Sequence, residues 1–175
     1  VAAAHAALRP FLDPAAPRPA GAPAAADYRT VTIMAHSGGA VVTFDALAGP
    51  VVRGWLGPAG PARRRLTWVT LGSGLTLAYQ MRPRADDEMA AFYGRRLAEH
   101  VTWVDVYGRH DPVPLGSAPP DLVAMLMGTW DGTPPDPRPY VSLRVVNDDW
   151  PFSDHGAYWE NTTEVMARVA HLIGD

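Results

Sequence analysis

At 175 residues, 47% of them hydrophobic, the chain is long enough for one ordinary domain with a real core, so disorder of the whole is excluded. A formal charge of −3 without a large basic cluster argues against nucleic acid as the main partner, and the lack of cysteine rules out disulfides, thiolate zinc sites and a cysteine nucleophile. No run approaches the ~20 apolar residues of a membrane span and nothing resembles a signal peptide, so the compartment is left open.

Taken in order, residues 1–12 are rich in alanine, with Leu8, Phe11 and Leu12 as apolar anchors, and predict a helix ending near Pro10. Residues 13–27 are almost entirely Pro, Ala and Gly and predict an irregular connector. Residues 29–35 are nearly continuously apolar, which suggests a strand buried on both faces as in a parallel sheet, followed by a helix over 38–47 that Gly49-Pro50 stops. After a loop at 57–61, Arg63, Arg64 and Arg65 form a short basic run, a solvated collar or an anion site, ahead of a strand at 66–71. Gly72-Ser73-Gly74 closes that strand.

Residues 86–100 carry Met89, Phe92, Tyr93 and Leu97 at helical spacing, with Asp86, Asp87 and Glu88 in the first turn where the helix dipole favours them. A third strand at 101–107 runs into Gly108-Arg109-His110-Asp111-Pro112-Val113-Pro114, and a fourth at 140–146 ends in Asn147-Asp148-Asp149. The last helix, 161–173, has Asn161 and Glu164 placed as a capping pair. This order predicts an α/β domain: a parallel sheet of about four strands with flanking helices, spanning 1–175 as one unit.

Ala35-His36-Ser37-Gly38-Gly39, between the first predicted strand and its helix, predicts a sharp strand-to-helix corner. A strand-to-helix corner displays its serine above the sheet, and Ala35 and Gly39 supply the small flanking side chains that such a turn favours. The Gly38 amide, at the start of the helix, faces the place where an oxyanion develops. In an open parallel sheet, ligands bind beyond the carboxyl ends of the strands, where Ser37, Ser73, Asp111 and His155 stand. A serine needs a base to take its proton, and the base needs an acid to fix its tautomer. Asp111 and His155 supply both, although Asp-Pro also opens ordinary turns. Asp105 is the rival acid but lies within a strand, and Ser73 lacks an ensuing helix and reads as a loop residue. His36 has a packing or rim role, where it can help bind substrate, and His110 is a second rim residue. His5, His100 and His171 fall on predicted helices. No close-spaced ligand set suggests a metal, and no cofactor is expected.

Together these segments resemble the C-terminal two-thirds of an α/β-hydrolase, most closely its serine esterase and lipase branches. The resemblance rests on Ala35-His36-Ser37-Gly38-Gly39 as nucleophile elbow, Val69-Thr70-Leu71-Gly72-Ser73 as the next strand end, Tyr107 to Val113 as acid turn, and Asp154-His155-Gly156-Ala157-Tyr158-Trp159 as histidine loop. It implies Ser37 as nucleophile, His155 as base, Asp111 as its orienter, Gly38 as oxyanion donor and an acyl-enzyme route that cleaves carboxylic esters. Residues 115–139, with Leu115, Leu122, Met125, Leu126, Met127 and Trp130, form an apolar insertion. It reads either as a lid or acyl-binding wall, which suggests a lipid-like substrate, or as an ordinary amphipathic helix and loop. The elbow has alanine where the family has its first glycine.

In that fold several strands precede the nucleophile strand, and a loop after one of them supplies a second oxyanion donor. Here a helix and a Pro/Ala connector stand there, and the first residue is Val1, so upstream sequence or another chain is expected to complete the sheet. The alternatives are a non-catalytic hydrolase-like domain for binding or assembly, and an acyltransferase using the same residues.

Overall fold

Four short runs rich in β-branched and aromatic residues form strands: Thr30–His36 (β1), Arg65–Leu71 (β2), Val101–Gly108 (β3) and Tyr140–Val145 (β4). The computed structural model describes residues 1–17, 20–21, 28, 30–56, 65–81, 101–127 and 140–174. Within them the strands form one parallel sheet in the order β1-β2-β3-β4, with Ile33 opposite Trp68, Trp68 opposite Trp103 and Trp103 opposite Tyr140. The α/β class, the parallel pairing and the four strands are as the sequence predicts.

Alternation along the strands divides the core in two. On one face Leu66, Trp68, Val101 and Trp103 pack under Ala2–Leu12 (α1), Gly39–Ala48 (α2), Pro50–Leu56 (α3), Leu75–Met81 (α4) and Pro120–Met127 (α5). Trp68 and Trp103 stack there with centroids 5.2 Å apart, both fully buried. Cutting either to alanine costs about 3–5 kcal/mol. Their indole N–H groups need acceptors: Trp68 donates to Thr43 Oγ1 and Trp103 to Thr70 Oγ1, which in turn donates to the buried carboxylate of Asp105. On the other face Val69, Leu71, Val104, Val106 and Val145 pack against Tyr158, Val165 and Val169. These come from the tail of the chain, where Pro151–Gly156 (α6), a 3₁₀ turn at Ala157–Trp159 and a π-helical turn at Thr162–Met166 lead into Ala167–Gly174 (α7).

Several boundaries differ from expectation. α1 runs through Pro10 to Leu12, at the loss of the one intrahelical N–H that proline lacks; Asp13 then ends it, accepting from the Arg9 guanidinium and the Ala15 N–H. Gly49-Pro50 breaks the chain for one residue only, since Pro50 opens α3, the helix position it suits. α4 begins two residues after Ser73, correcting the expectation of no helix there; the buried Ser73 Oγ accepts the Leu75 N–H and so starts it. Among the described residues β1 stands at the edge of the sheet, and Ala35 is its one buried residue, where the sequence predicts burial on both faces. At the last helix Asn161 Oδ1 accepts the Glu164 N–H as expected, but the Glu164 carboxylate takes the Val146 N–H instead of completing a box. The predicted helix at 86–100, the loop at 57–61 and Arg63 and Arg64 lie outside the described residues, as do 18–19 and 22–27 of the connector and 128–139 of the insertion.

Candidate active site

The end of β1 is bent back by three backbone hydrogen bonds. Ser37 N–H donates to Leu71 O at 2.9 Å, and Ser37 O accepts from Gly74 N–H at 3.2 Å and Ala40 N–H at 3.1 Å. To satisfy them Ser37 takes φ +55°, a left-handed conformation that costs a non-glycine residue about 1 kcal/mol or more. Gly38 returns at once to helical angles, φ −59° and ψ −21°, and caps α2. The serine therefore sits at the tip of a strained corner. A Cβ on Gly38 or Gly39 would meet nothing within 4 Å, so smallness at Gly39 is not demanded by its neighbours among the described residues, and the space over the corner is open.

Ser37 Oγ lies 3.0 Å from His155 Nε2, and His155 Nδ1 lies 2.9 Å from Asp111 Oδ2 and 3.0 Å from Oδ1. A carboxylate only accepts, so Nδ1 carries the imidazole proton and Nε2 is left to accept from the serine hydroxyl. Asp111 is buried and its Oδ1 also takes the Val113 N–H at 2.8 Å. The Asp-Pro turn and the bond to histidine thus coexist on one side chain: the turn spends part of Oδ1 and leaves the carboxylate facing His155. His155 is half-buried on α6, a short helix where a loop was expected, started by Pro151 at its first turn.

Three supports are not evident in sequence. Gly72, at φ +54°, lies where a Cβ would come within 2.6 Å of Asp111 Oδ2, 2.8 Å of Tyr158 Cε2 and 3.0 Å of His155 Nδ1. Asp154 is fully buried and pairs with no cation among the described residues; its carboxylate accepts backbone N–H bonds from His110 at 2.6 Å, Asn147 at 3.0 Å and Asp148 at 3.3 Å. It lashes the acid turn and the β4 loop to the helix that bears His155. Tyr158, also fully buried, sits 2.6 Å from Asp111 Oδ2. Burial first, then the bond to Asp111 and its charge, push the phenol well above its usual range.

The other expected residues fall as follows. His36, for which the sequence predicts a packing or rim role, lies half-buried against His155: its Nε2–H donates to the His155 carbonyl at 2.7 Å and the rings sit 4.7 Å apart. Leu115 is 53% exposed beyond the acid turn at φ +56°. Met125, expected on an acyl-binding wall, is instead packed into the core beside Leu122 and Leu126 on α5, because the apolar stripe of that helix covers the sheet. Trp130 lies outside the described residues, as does the rest of 128–139 of the expected lid. Ser73 turns its hydroxyl onto the α4 backbone, and the Asp105 carboxyl is taken up by the Thr70 hydroxyl and the Ala118 N–H.

An apolar groove of about 320 Å³, lined by Leu143, Ala167, Arg168, His171 and Leu172, lies along β4 and α7 and contains none of these residues. Among the described residues no group of three or more His, Asp or Glu is arranged to hold a metal ion. Compared with protein-family models, with curated proteins and with solved structures, the chain matches none.

Proposed function

We propose that the protein is a serine hydrolase of the α/β-hydrolase type that cleaves carboxylic esters. The observation that carries this is the unbroken line from Ser37 Oγ through His155 to Asp111, at 3.0 and 2.9 Å, raised on a strained strand-to-helix corner at the carboxyl edge of a parallel sheet. In the first half-reaction Ser37 Oγ attacks the ester carbonyl while its proton passes to His155 Nε2. Asp111 stabilises the imidazolium so formed, and the Gly38 N–H, which no acceptor among the described residues takes, donates to the developing oxyanion. Collapse breaks the ester C–O bond, and the leaving alcohol takes the proton from His155. Water, deprotonated by the same nitrogen, then hydrolyses the acyl-enzyme and restores Ser37.

A lipid-like acyl or alcohol group is the favoured substrate class. Phe152 and Trp150, 86% and 74% exposed, flank His155 on its own segment, and apolar side chains so placed suit a greasy substrate. The free edge of β1 supports a further part of the reading. Among the described residues β1 pairs with β2 alone, and a strand of this polypeptide or of another covers the other side.

The same open edge favours the second reading, a hydrolase-like domain used for binding or assembly. Intact-mass labelling with a fluorophosphonate, alongside a panel of acyl esters, separates the two. The expected result is one adduct, with loss of fluoride, that is absent in Ser37→Ala, and ester hydrolysis that disappears with it. Hydrolysis undiminished in Ser37→Ala overturns the assignment, and no adduct on a folded protein turns it to the binding domain. Adding alcohol or amine acceptors and assaying their acylated products distinguishes an acyltransferase.

A further inference from the structure

The hydrogen bonds around Asp111 continue past His155 to Tyr158. The hydroxyl oxygen of Tyr158 lies 2.6 Å from Asp111 Oδ2 and 2.6 Å from the Gly108 nitrogen. An amide N–H can only donate, so a lone pair of the phenol accepts from Gly108, and the one phenolic proton is left for Asp111. The direction of both bonds is therefore fixed by chemistry alone. Asp111 is held at both oxygens: Oδ1 by the Val113 N–H and Oδ2 by Tyr158, with His155 Nδ1–H bridging them. The surrounding packing gives no slack, since even a methyl group on Gly72 would overlap Tyr158 and Asp111.

We propose that Tyr158 is the positioning residue for the acid of the site, a role that rests on the hydrolase reading above. Clamped at each oxygen, the carboxylate is prevented from rotating away and presents its remaining lone pairs to His155 Nδ1, which sets the imidazole plane toward Ser37 Oγ. The phenol also withdraws charge from Oδ2, so it sets the strength of the His155–Asp111 bond. It ties three segments together as well: the end of β3 through Gly108, the acid turn through Asp111, and the histidine segment that carries it. The other ionisable groups around the pair are His36, whose ring lies 4.7 Å from that of His155 and 5.8 Å from that of Tyr158, and Asp154, whose carboxylate is occupied by backbone N–H groups. Tyr158→Phe leaves both in place.

The test is Tyr158→Phe in the full chain, which keeps the buried ring and removes only the hydroxyl. Three readouts are taken: folding by circular dichroism, the far-downfield proton resonance of the His155–Asp111 hydrogen bond, and steady-state kinetics on a short, soluble ester. Losing a hydrogen bond to a charged group is expected to lower kcat about 10- to 100-fold with KM unchanged, and to move the resonance. Para-aminophenylalanine at 158, which restores a donor to Asp111, is expected to recover part of kcat. A folded phenylalanine variant with unaltered kcat and an unmoved resonance overturns the inference, since a packing role alone leaves both untouched. Should the phenylalanine variant not fold, a ring-fluorinated tyrosine at 158 keeps shape and hydroxyl but strengthens the donor; the resonance is then expected to shift, and an unmoved one overturns the inference equally. The resonance needs no turnover, so a wild type that shows it while hydrolysing no ester overturns the hydrolase reading alone.

Discussion

Gly72 and Asp111 stand so close that a single added carbon on the glycine would lie 2.6 Å from the Asp111 Oδ2, and the same carbon would press on His155 Nδ1 at 3.0 Å. Gly72 N–H is meanwhile fixed to Val106 O at 2.9 Å, so its backbone has no freedom to withdraw. Gly72→Ala must then displace the acid or the histidine and also hold alanine at φ +54°. A displacement near 1 Å in such a site costs on the order of 100-fold in rate, so the second-order rate of fluorophosphonate labelling is expected to fall by about that much in a protein that still folds. A folded alanine variant labelling at the wild-type rate would show that the Asp111–His155 contact is not what reactivity depends on.

The corner itself stores strain that can be read as stability. Ser37 at φ +55° is in the region where glycine is at ease and an alanine is not. Both Ser37→Gly and Ser37→Ala remove the hydroxyl and both are expected to abolish labelling, but the glycine variant is expected to be more stable than the alanine variant by about 1 kcal/mol. Urea unfolding midpoints with equal m-values measure the difference. An alanine variant as stable as the glycine one would mean that the corner is unstrained in solution.

How far this architecture is legible in the sequence depends on the range over which each residue acts. The strands are legible because a buried parallel strand must be apolar on both sides, as Leu66 to Leu71 is, and residues just past a strand end inherit their position from it, which is why Ser37, Asp111 and His155 are brought together. Tyr158 and Asp154 are not legible, because their partners Gly108 and His110 lie 50 and 44 positions away and only the folded sheet joins them. α4 and α6 are too short, at 7 and 6 residues, to show a helical period. Met125 misleads for the opposite reason: an apolar stripe on a helix covers a core before it lines a site, and here the sheet takes it.

Asp154 illustrates how a buried carboxylate with no cation among the described residues is kept. Its two oxygens serve three backbone N–H groups from two loops, and its own main chain continues the lashing, with Asp154 O accepting from Asn147 Nδ2 at 2.9 Å. In Asp154→Asn one acceptor becomes a donor pointed at N–H groups. The expected cost is about 1.5–3 kcal/mol of stability, the range for a hydrogen bond to a charged group, with activity lost through the displaced His110 and His155 segments. Calorimetry together with labelling measures both. A variant that melts where the wild type does would mean that the loops hold their places without this carboxylate.

Asp105 gives the protein a pH dependence unrelated to its chemistry. Its buried carboxyl is pushed above the usual carboxylate range by desolvation, against the opposing pull of hydrogen bonds from Thr70, the Ala118 N–H and Tyr140. A folded-state value above the unfolded one, about 3.9, means that the folded protein binds the proton more tightly. The stabilisation this brings is fully present below about 3.9 and is lost as pH rises through the higher folded value. Asp105→Asn keeps an acceptor for the Thr70 hydroxyl and removes the titration. The unfolding free energy of the wild type relative to the asparagine variant is therefore expected to be greatest in acid and to decline with rising pH, levelling off once Asp105 is ionised in the folded state. Urea unfolding of both proteins across that range supplies the comparison, and two curves that run parallel throughout would place the Asp105 carboxyl in contact with water instead of beneath α5.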